Sequence, residues 1–138
     1  MTEHSTTVLA GLMSKRRKCL EQLRELGRRQ AAHIAGGEMT ELLRLVAAKE
    51  QLIVAMQAIE RQLAPFQAEA PESRDWESAA SRAQCAADAE ACRALIEEVM
   101  AMEQAGEQQM TVRRDAVSQQ LRVAAQGGRV REAYGANR

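Results

Sequence analysis

Apolar residues recur every three or four positions along most of this chain, a spacing typical of amphipathic α-helices. The first such segment covers residues 6–35 and carries a stripe of leucines. Each residue from Ser5 to Thr7 can cap its first turn, because their hydroxyl oxygens accept backbone amide hydrogens. Gly36-Gly37 follows, and paired glycines permit the left-handed conformation that ends a helix. We therefore predict a first helix over about 6–35.

The second segment, residues 38–63, has the most regular pattern. Its apolar positions, spaced like a coiled-coil seam, are Met39, Leu42, Leu45, Val46, Leu52, Ile53, Met56, Ile59 and Leu63. Lys49 falls on this seam, and a buried lysine is costly, so we expect it to snorkel or to pair with a carboxylate. Pro65 is expected to close the helix. Because a two-glycine turn joins the two segments, we predict an antiparallel helical hairpin.

A third helix is predicted over residues 74–126, beginning near Ser73 or Asp75 and ending at Gly127-Gly128. About fifty helical residues span roughly 75 Å, whereas the first two helices reach roughly 40–45 Å. The third helix is therefore expected to extend beyond the hairpin by several turns, or to bend near Gly106.

These elements predict an all-α fold: an antiparallel hairpin plus a long third helix, in a coiled-coil-like three-helix bundle with a C-terminal overhang. Composition agrees, since the chain has only one Trp, one Tyr, one Phe and two prolines, too few for a β-sandwich or barrel. We expect a single domain over residues 1–126 and a flexible or short helical tail over 127–138.

The second half of the third helix carries two apolar stripes. Residues of the first lie within about 60° of one another at 100° per residue: they are Met110, Val117, Leu121 and Ala124. Residues of the second lie within about 40° on another face: they are Val112, Ala116, Val123, Val130 and Tyr134. One stripe can pack within the chain's own bundle. The other has no obvious partner within the chain, which indicates a docking surface.

Charge is neutral overall but unevenly distributed. Residues 1–35 carry a net charge of +4, residues 36–112 carry −8, and residues 113–138 carry +4. This order favours folding of the first segment onto the middle one. The basic run Lys15 to Lys18 leaves a nucleic-acid adaptor open as a weak alternative, although no aromatics are interleaved with it for base stacking. A solvated helix face complementary to the acidic segment is the favoured interpretation.

Catalytic and metal-binding chemistry is poorly represented. Neither His4 nor His33 has a Glu three residues before it, as di-metal helical bundles require. Cys85 and Cys92 are too few and too far apart for a zinc site, and an odd total of three cysteines suits free thiols in a reducing compartment. No segment has the length of apolar sequence that a membrane span needs. We expect a cytoplasmic protein without enzymatic activity, metal, cofactor, nucleic-acid partner or membrane insertion.

Four features of the chain occur together: the string from Leu42 to Leu52, the proline-bearing linker, the long third helix and the ending Arg131 to Gly135. In these features the chain resembles the FlgN-type flagellar export chaperones of the bacterial type III apparatus. FliT-type and other small helical export chaperones are left open.

The resemblance implies a chaperone that binds hook–filament junction subunits through its C-terminal amphipathic helix, prevents their premature assembly and helps deliver them to the export gate. The implied cargo-binding residues are Met110, Val112, Ala116, Val117, Leu121 and Val123. The implied gate contacts are Val130 and Tyr134. The alternative is a structural helical module that self-associates without cargo, and a homodimer of the cargo-free chaperone is also left open.

Overall fold

The computed structural model describes residues 5–136, with side chains for residues 5–126. The described chain is all-α and contains no β-strand. Its three long helices are α1 (Thr6–Gly36), α2 (Met39–Gln67) and α3 (Ala79–Ala136), and a 3-10 turn covers Pro71–Ser73. The predicted hairpin with a long third helix is confirmed.

The first helix is the centre of the bundle, since α1 packs against both α2 and α3 along its length. It runs antiparallel to α2 and parallel to α3. At its start, Leu9 lies in one apolar cluster with Leu63 of α2 and Cys85 of α3. Near its end, Ile34 accepts a hydrogen bond from Arg113 of α3. The backbones of α2 and α3 lie further from each other than either lies from α1. Within the described residues, these two helices therefore contact each other through their side chains.

Two apolar clusters form the core. The cluster at the start of α1 is built on Leu9, Leu12, Ile59, Leu63, Phe66 and Cys85. The cluster further along is built on Leu20, Leu23, Cys92 and Leu95. Fully burying each leucine contributes about 1.5–3 kcal/mol, so these few side chains provide most of the apolar stabilisation. Burial raises the pKa of the thiols of Cys85 and Cys92, which keeps both in the neutral form.

The end of α2 differs from the prediction, because the helix does not close at Pro65 but continues to Gln67. Proline removes its own amide hydrogen bond and crowds the carbonyl four residues earlier, and α2 ends two residues later. The extra turn beyond residue 63 places Phe66 in the first core cluster. Trp76 of the linker packs against the same cluster, and Arg74 donates to the carbonyl oxygen of Phe66 at 2.6 Å. The two aromatic residues thus hold the linker against the hairpin.

The start of α3 also differs, since the helix begins at Ala79 rather than near residue 74. Ser78 serves as its cap, and its hydroxyl oxygen accepts the amide hydrogen of Ser81 at 3.0 Å. The preceding residues 74–78 are non-helical and are tied to α1, where the Thr6 hydroxyl donates to the carbonyl oxygen of Asp75 at 2.6 Å. The cap is therefore still local, but it lies at Ser78, after a linker that distant contacts hold against α1.

Lys49 confirms the expectation of a paired cation on the α2 seam. It is 7% exposed, and its ammonium group donates to a carboxylate oxygen of Glu103 on α3. It also donates to the amide oxygen of Gln30 on α1 at 2.7 Å. One buried side chain therefore connects all three helices.

Ion pairs between the basic first segment and the acidic middle segment are present, as the charge pattern predicted. Their partners and separations are Arg16–Glu60 at 2.5 Å, Arg17–Asp88 at 3.0 Å and Arg24–Glu98 at 3.4 Å. Hydrogen bonds to the carboxylates of Glu21 and Asp88 raise the pKa of Arg17. The basic run on α1 is thus partly engaged inside the bundle.

No bend is needed at Gly106, which lies within α3 and is buried beside Gln30 of α1. The predicted bounds of the third helix stopped at residue 126, whereas α3 continues through Gly127 and Gly128 to Ala136. Glycine in a helix interior costs only about 1 kcal/mol relative to alanine, which the helix-forming residues around the pair can offset. The division into a domain over 1–126 and a tail over 127–138 stays a prediction.

The predicted overhang is confirmed by the helix lengths. The 31 residues of α1 span about 46 Å and the 58 residues of α3 span about 87 Å. Since both helices start at the same end of the bundle, α3 extends well beyond the hairpin turn. We call residues 114–136 the overhang.

Candidate docking surface

All six predicted cargo-binding side chains are exposed. Their exposed fractions are 47% for Met110, 68% for Val112, 47% for Val117, 66% for Leu121 and 56% for Val123, and Ala116 is exposed as well. In the part of the chain that the structure describes, no other helix covers them. The structure therefore presents apolar side chains to solvent at the predicted positions.

The two apolar stripes lie on different sides of α3. Met110, Val117 and Leu121 continue the face that is buried at Cys92 and partly buried at Val99, because all five fall within about 40° at 100° per residue. The hairpin ends at Gly37, so this face loses its cover there. The Val112 stripe points away from the bundle, roughly 140° around the helix from the first stripe. The described side chains of both stripes are exposed, although one stripe was predicted to pack against the chain's own bundle.

An open cavity of about 520 Å³ lies where α3 passes the hairpin turn. Its apolar lining consists of Ile34, Met39, Leu42, Met110 and Val117. Its polar lining consists of His33, Glu38, Thr111, Arg113, Arg114 and Ser118. Ile34 and Leu42 are buried and form the floor, while the two methionines are about half exposed at the rim. The cavity thus joins the end of the hairpin to the start of the overhang.

Arg113 fixes the position of α3 beside the turn. Its guanidinium donates to the carbonyl oxygens of Ile34 and Ala35 in the last turn of α1. These oxygens belong to the carbonyls that a helix end leaves without intrahelical partners, and a cation there also interacts favourably with the helix dipole. Gly37 adopts a left-handed conformation with φ of 71°, and the Arg113 guanidinium fills the space that a Cβ at Gly37 would need.

A second exposed apolar stripe, which the sequence did not reveal, lies on α2. Its residues are Met39, Leu43, Val46, Ile53 and Val54. Met39, Val46 and Ile53 were predicted on the α2 seam, but the buried positions are Leu42, Lys49, Ile59, Leu63 and Phe66. The sequence offers neighbouring apolar residues at each turn, so periodicity alone could not decide which of them faces α1.

Other predicted chemistry can be placed only in part. The side chains of Val130 and Tyr134 lie outside the residues whose side chains are described, although both belong to α3. Within residues 5–126, no group of three or more His, Cys, Asp or Glu residues is arranged to hold a metal ion. None of the described helices is long and apolar enough to cross a bilayer.

A helical bundle with apolar residues exposed along a protruding helix is typical of all-α proteins that bind partner chains. The FlgN family model, described as FlgN protein, matches residues 1–135. The chain belongs to the FlgN family, the chaperones of flagellar type III protein export, and this membership supports binding of flagellar export substrates. Comparisons with curated proteins and with solved structures gave no match.

Proposed function

We propose that this chaperone binds hook–filament junction subunits in the cytoplasm through the C-terminal part of α3. In this role it keeps the subunits from assembling before export. The observation that carries the proposal is the exposure of Leu121 and Val123 on opposite faces of the overhang. A single exposed apolar residue is ordinary, but a row of them along a protruding helix forms a surface suited to partner helices.

Binding would bury this row against an amphipathic helix of the cargo. Burial of apolar surface contributes about 25 cal/mol per Å², and helices recognise each other through apolar residues spaced three and four apart. Val117 and Leu121 are four residues apart, and Met110 lies seven residues, or two turns, before Val117 on the same face. An export subunit held in this way would have its own assembly helices covered.

Delivery to the export gate is the second part of the proposal. Val130 and Tyr134 lie on the same face as Val112 by helical periodicity, at the far end of the overhang. We assign the gate contact to these two residues. A gate contact near the end of α3 is separate from the cargo surface, which lies nearer the bundle. The cargo could therefore stay bound while the chaperone contacts the gate.

Co-purification with the junction subunits tests the proposal. The full chain should retain them, and a chain ending at Arg114 should not. This truncation keeps the contact between Arg113 and Ile34, so circular dichroism should show that the remaining bundle is still helical. Equal retention of the subunits by both chains would overturn the assignment of the cargo surface.

Self-association is the alternative, and the exposed stripe from Met39 to Val54 on α2 favours it. In that case the apolar surfaces would be covered by a second copy, and the chain would be a dimer without cargo. Light scattering and circular dichroism of a Leu121→Glu, Val123→Glu variant separate the two functions. A self-association module should become monomeric or unfold, whereas a chaperone should stay folded and lose cargo.

A further inference from the structure

We propose that the cavity at the hairpin turn is an anchor site for an acidic amphipathic helix, which inserts one large apolar side chain there. The inference rests on the proposed function and identifies the part of the cargo that is recognised first. It also extends the site from α3 alone to the turn and to α2, which no sequence pattern indicated.

The cavity has the properties of a preformed apolar site. Its volume of about 520 Å³ lies in the range of small-molecule pockets, and buried Ile34 and Leu42 give it an apolar floor. Hydrogen bonds from Arg113 to the end of α1 hold its two walls at a fixed separation. Met39 and Met110 at the rim have flexible thioether side chains that can adapt to an inserted group.

The cavity is continuous with the overhang. Val117 lines its outer wall, and Leu121 follows one turn later on the same face of α3. From Met110 to Leu121 the helix rises about 17 Å, which matches about three turns of a partner helix. A helix lying along this face would therefore bring its end, or an anchor residue near it, to the cavity.

The charges around the cavity select the chemistry of the partner. Arg113 and Arg114 line it, and the carboxylate of Glu38 on the other wall already contacts His33 at 3.2 Å. Among the side chains of residues 5–126, Arg114 has only a long, exposed contact of 3.8 Å with its neighbour Asp115. Complementary charge across an interface favours specific partners and faster association. The helix that fits this site therefore carries carboxylates beside its apolar anchor.

The direct test compares two variants on α2, Met39→Glu and Leu43→Glu. The two residues lie one turn apart and are 58% and 62% exposed, but only Met39 lines the cavity. Both lie near the start of α2, where a carboxylate is compatible with the helix dipole. Isothermal titration with the purified junction subunits should show about tenfold weaker binding for Met39→Glu, the loss typical of an anchor contact. Leu43→Glu should bind as the original chain does.

The charge part of the inference is tested with Arg114→Glu and the control Arg93→Glu, another exposed arginine on α3. Arg114→Glu should weaken binding about fivefold at low salt, and the difference should shrink at high salt because exposed charges are then screened. Arg93→Glu should have no comparable effect. Tighter or unchanged binding by Arg114→Glu would overturn the inference that the partner helix is acidic.

Failure of the inference can be told apart from failure of the proposed function. If Leu121→Glu loses cargo while Met39→Glu keeps it, the overhang binds cargo and the cavity is not its anchor. If both variants keep cargo, the assignment of the cargo surface to the overhang is wrong and the anchor site falls with it. If Met39→Glu instead turns a dimer into a monomer without changing cargo affinity, the occupant of the cavity is a second copy.

Discussion

Arg113 on α3 donates a hydrogen bond to the main-chain carbonyl oxygen of Ile34, the last buried residue of α1. The contact spans 79 positions of sequence. The guanidinium of Arg113 on α3 thus caps the C-terminal end of α1. The place where α3 leaves the hairpin is thereby fixed, and so is the start of the overhang.

Replacing Arg113 with alanine should loosen the turn without unfolding the bundle. The amides of Gly37 and Glu38 donate to carbonyl oxygens in the last turn of α1. Because the charge-assisted bonds of Arg113 are lost, these amides should exchange with solvent about tenfold faster, which corresponds to a local opening free energy lower by about 1.4 kcal/mol. Hydrogen exchange measures this directly. Arg114→Ala is the control, and equal exchange rates in the two variants would contradict a specific role for Arg113.

Gly37→Ala should destabilise the protein by about 1–2 kcal/mol, because an alanine resists a φ of 71° and its Cβ would displace Arg113. Gly11→Ala is the matched control, since Gly11 lies within α1 and a Cβ there meets nothing within 4 Å. That substitution should stabilise by up to about 1 kcal/mol. Urea unfolding of both variants provides the measurement, and equal shifts in the same direction would refute the argument.

Glu103→Ala should destabilise by about 2–3 kcal/mol, since it leaves the buried ammonium of Lys49 with Gln30 as its remaining acceptor. Lys49→Met removes the buried charge itself and should fall within about 1 kcal/mol of the original stability, or above it. Glu107→Ala, on an exposed position of the same helix, should change little. Equal losses for Glu103→Ala and Glu107→Ala would show that the ion pair of buried Lys49 with Glu103 does not hold the helices in register.

The buried thiols predict a dependence on alkaline pH. Burial, with a smaller contribution from Asp88, raises the pKa of Cys85, and burial also raises that of Cys92 above the ordinary value of 9.0. The folded state then holds these protons more tightly than the unfolded chain. Their contribution to stability is complete below pH 9.0 and is lost as the pH rises through the raised values.

Two measurements check this. At pH 8, iodoacetamide followed by mass spectrometry should label the half-buried Cys19 before Cys85 and Cys92. Between pH 8.5 and 10.5, a Cys85→Ala, Cys92→Ala variant should lose less unfolding free energy than the original chain. Rapid labelling of Cys92 in the folded protein would contradict its burial.

Local signals in the sequence predicted the elements of the fold well. The glycine pair identified the hairpin turn, and the α2 seam identified Lys49 as a cation that needs a partner. The limits of the helices depended on distant contacts. The start of α3 is set by the bonds of Thr6 and Thr7 to the linker, and the end of α2 is set by burial of Phe66. Neither contact leaves a periodic pattern in sequence.

The candidate site was predicted in part for the same reason. The exposed apolar residues of the overhang follow helical periodicity, so the sequence could point to Leu121 and Val123. The cavity depends on the register of α3 against the turn, which brings Met110 and Val117 beside Met39. That register is set by Arg113 and by the pairing of Lys49, and it becomes visible only in three dimensions.

The central claim is that cargo binds to the apolar side chains of the overhang. Isothermal titration of the junction subunits into the Leu121→Glu, Val123→Glu variant tests it most directly. Val54→Glu is the control, because Val54 is 62% exposed on α2, away from both the overhang and the cavity. The account predicts at least about a hundredfold loss of affinity for the double variant, as expected for two anchor positions, and none for the control. Equal affinity for all three proteins would contradict it.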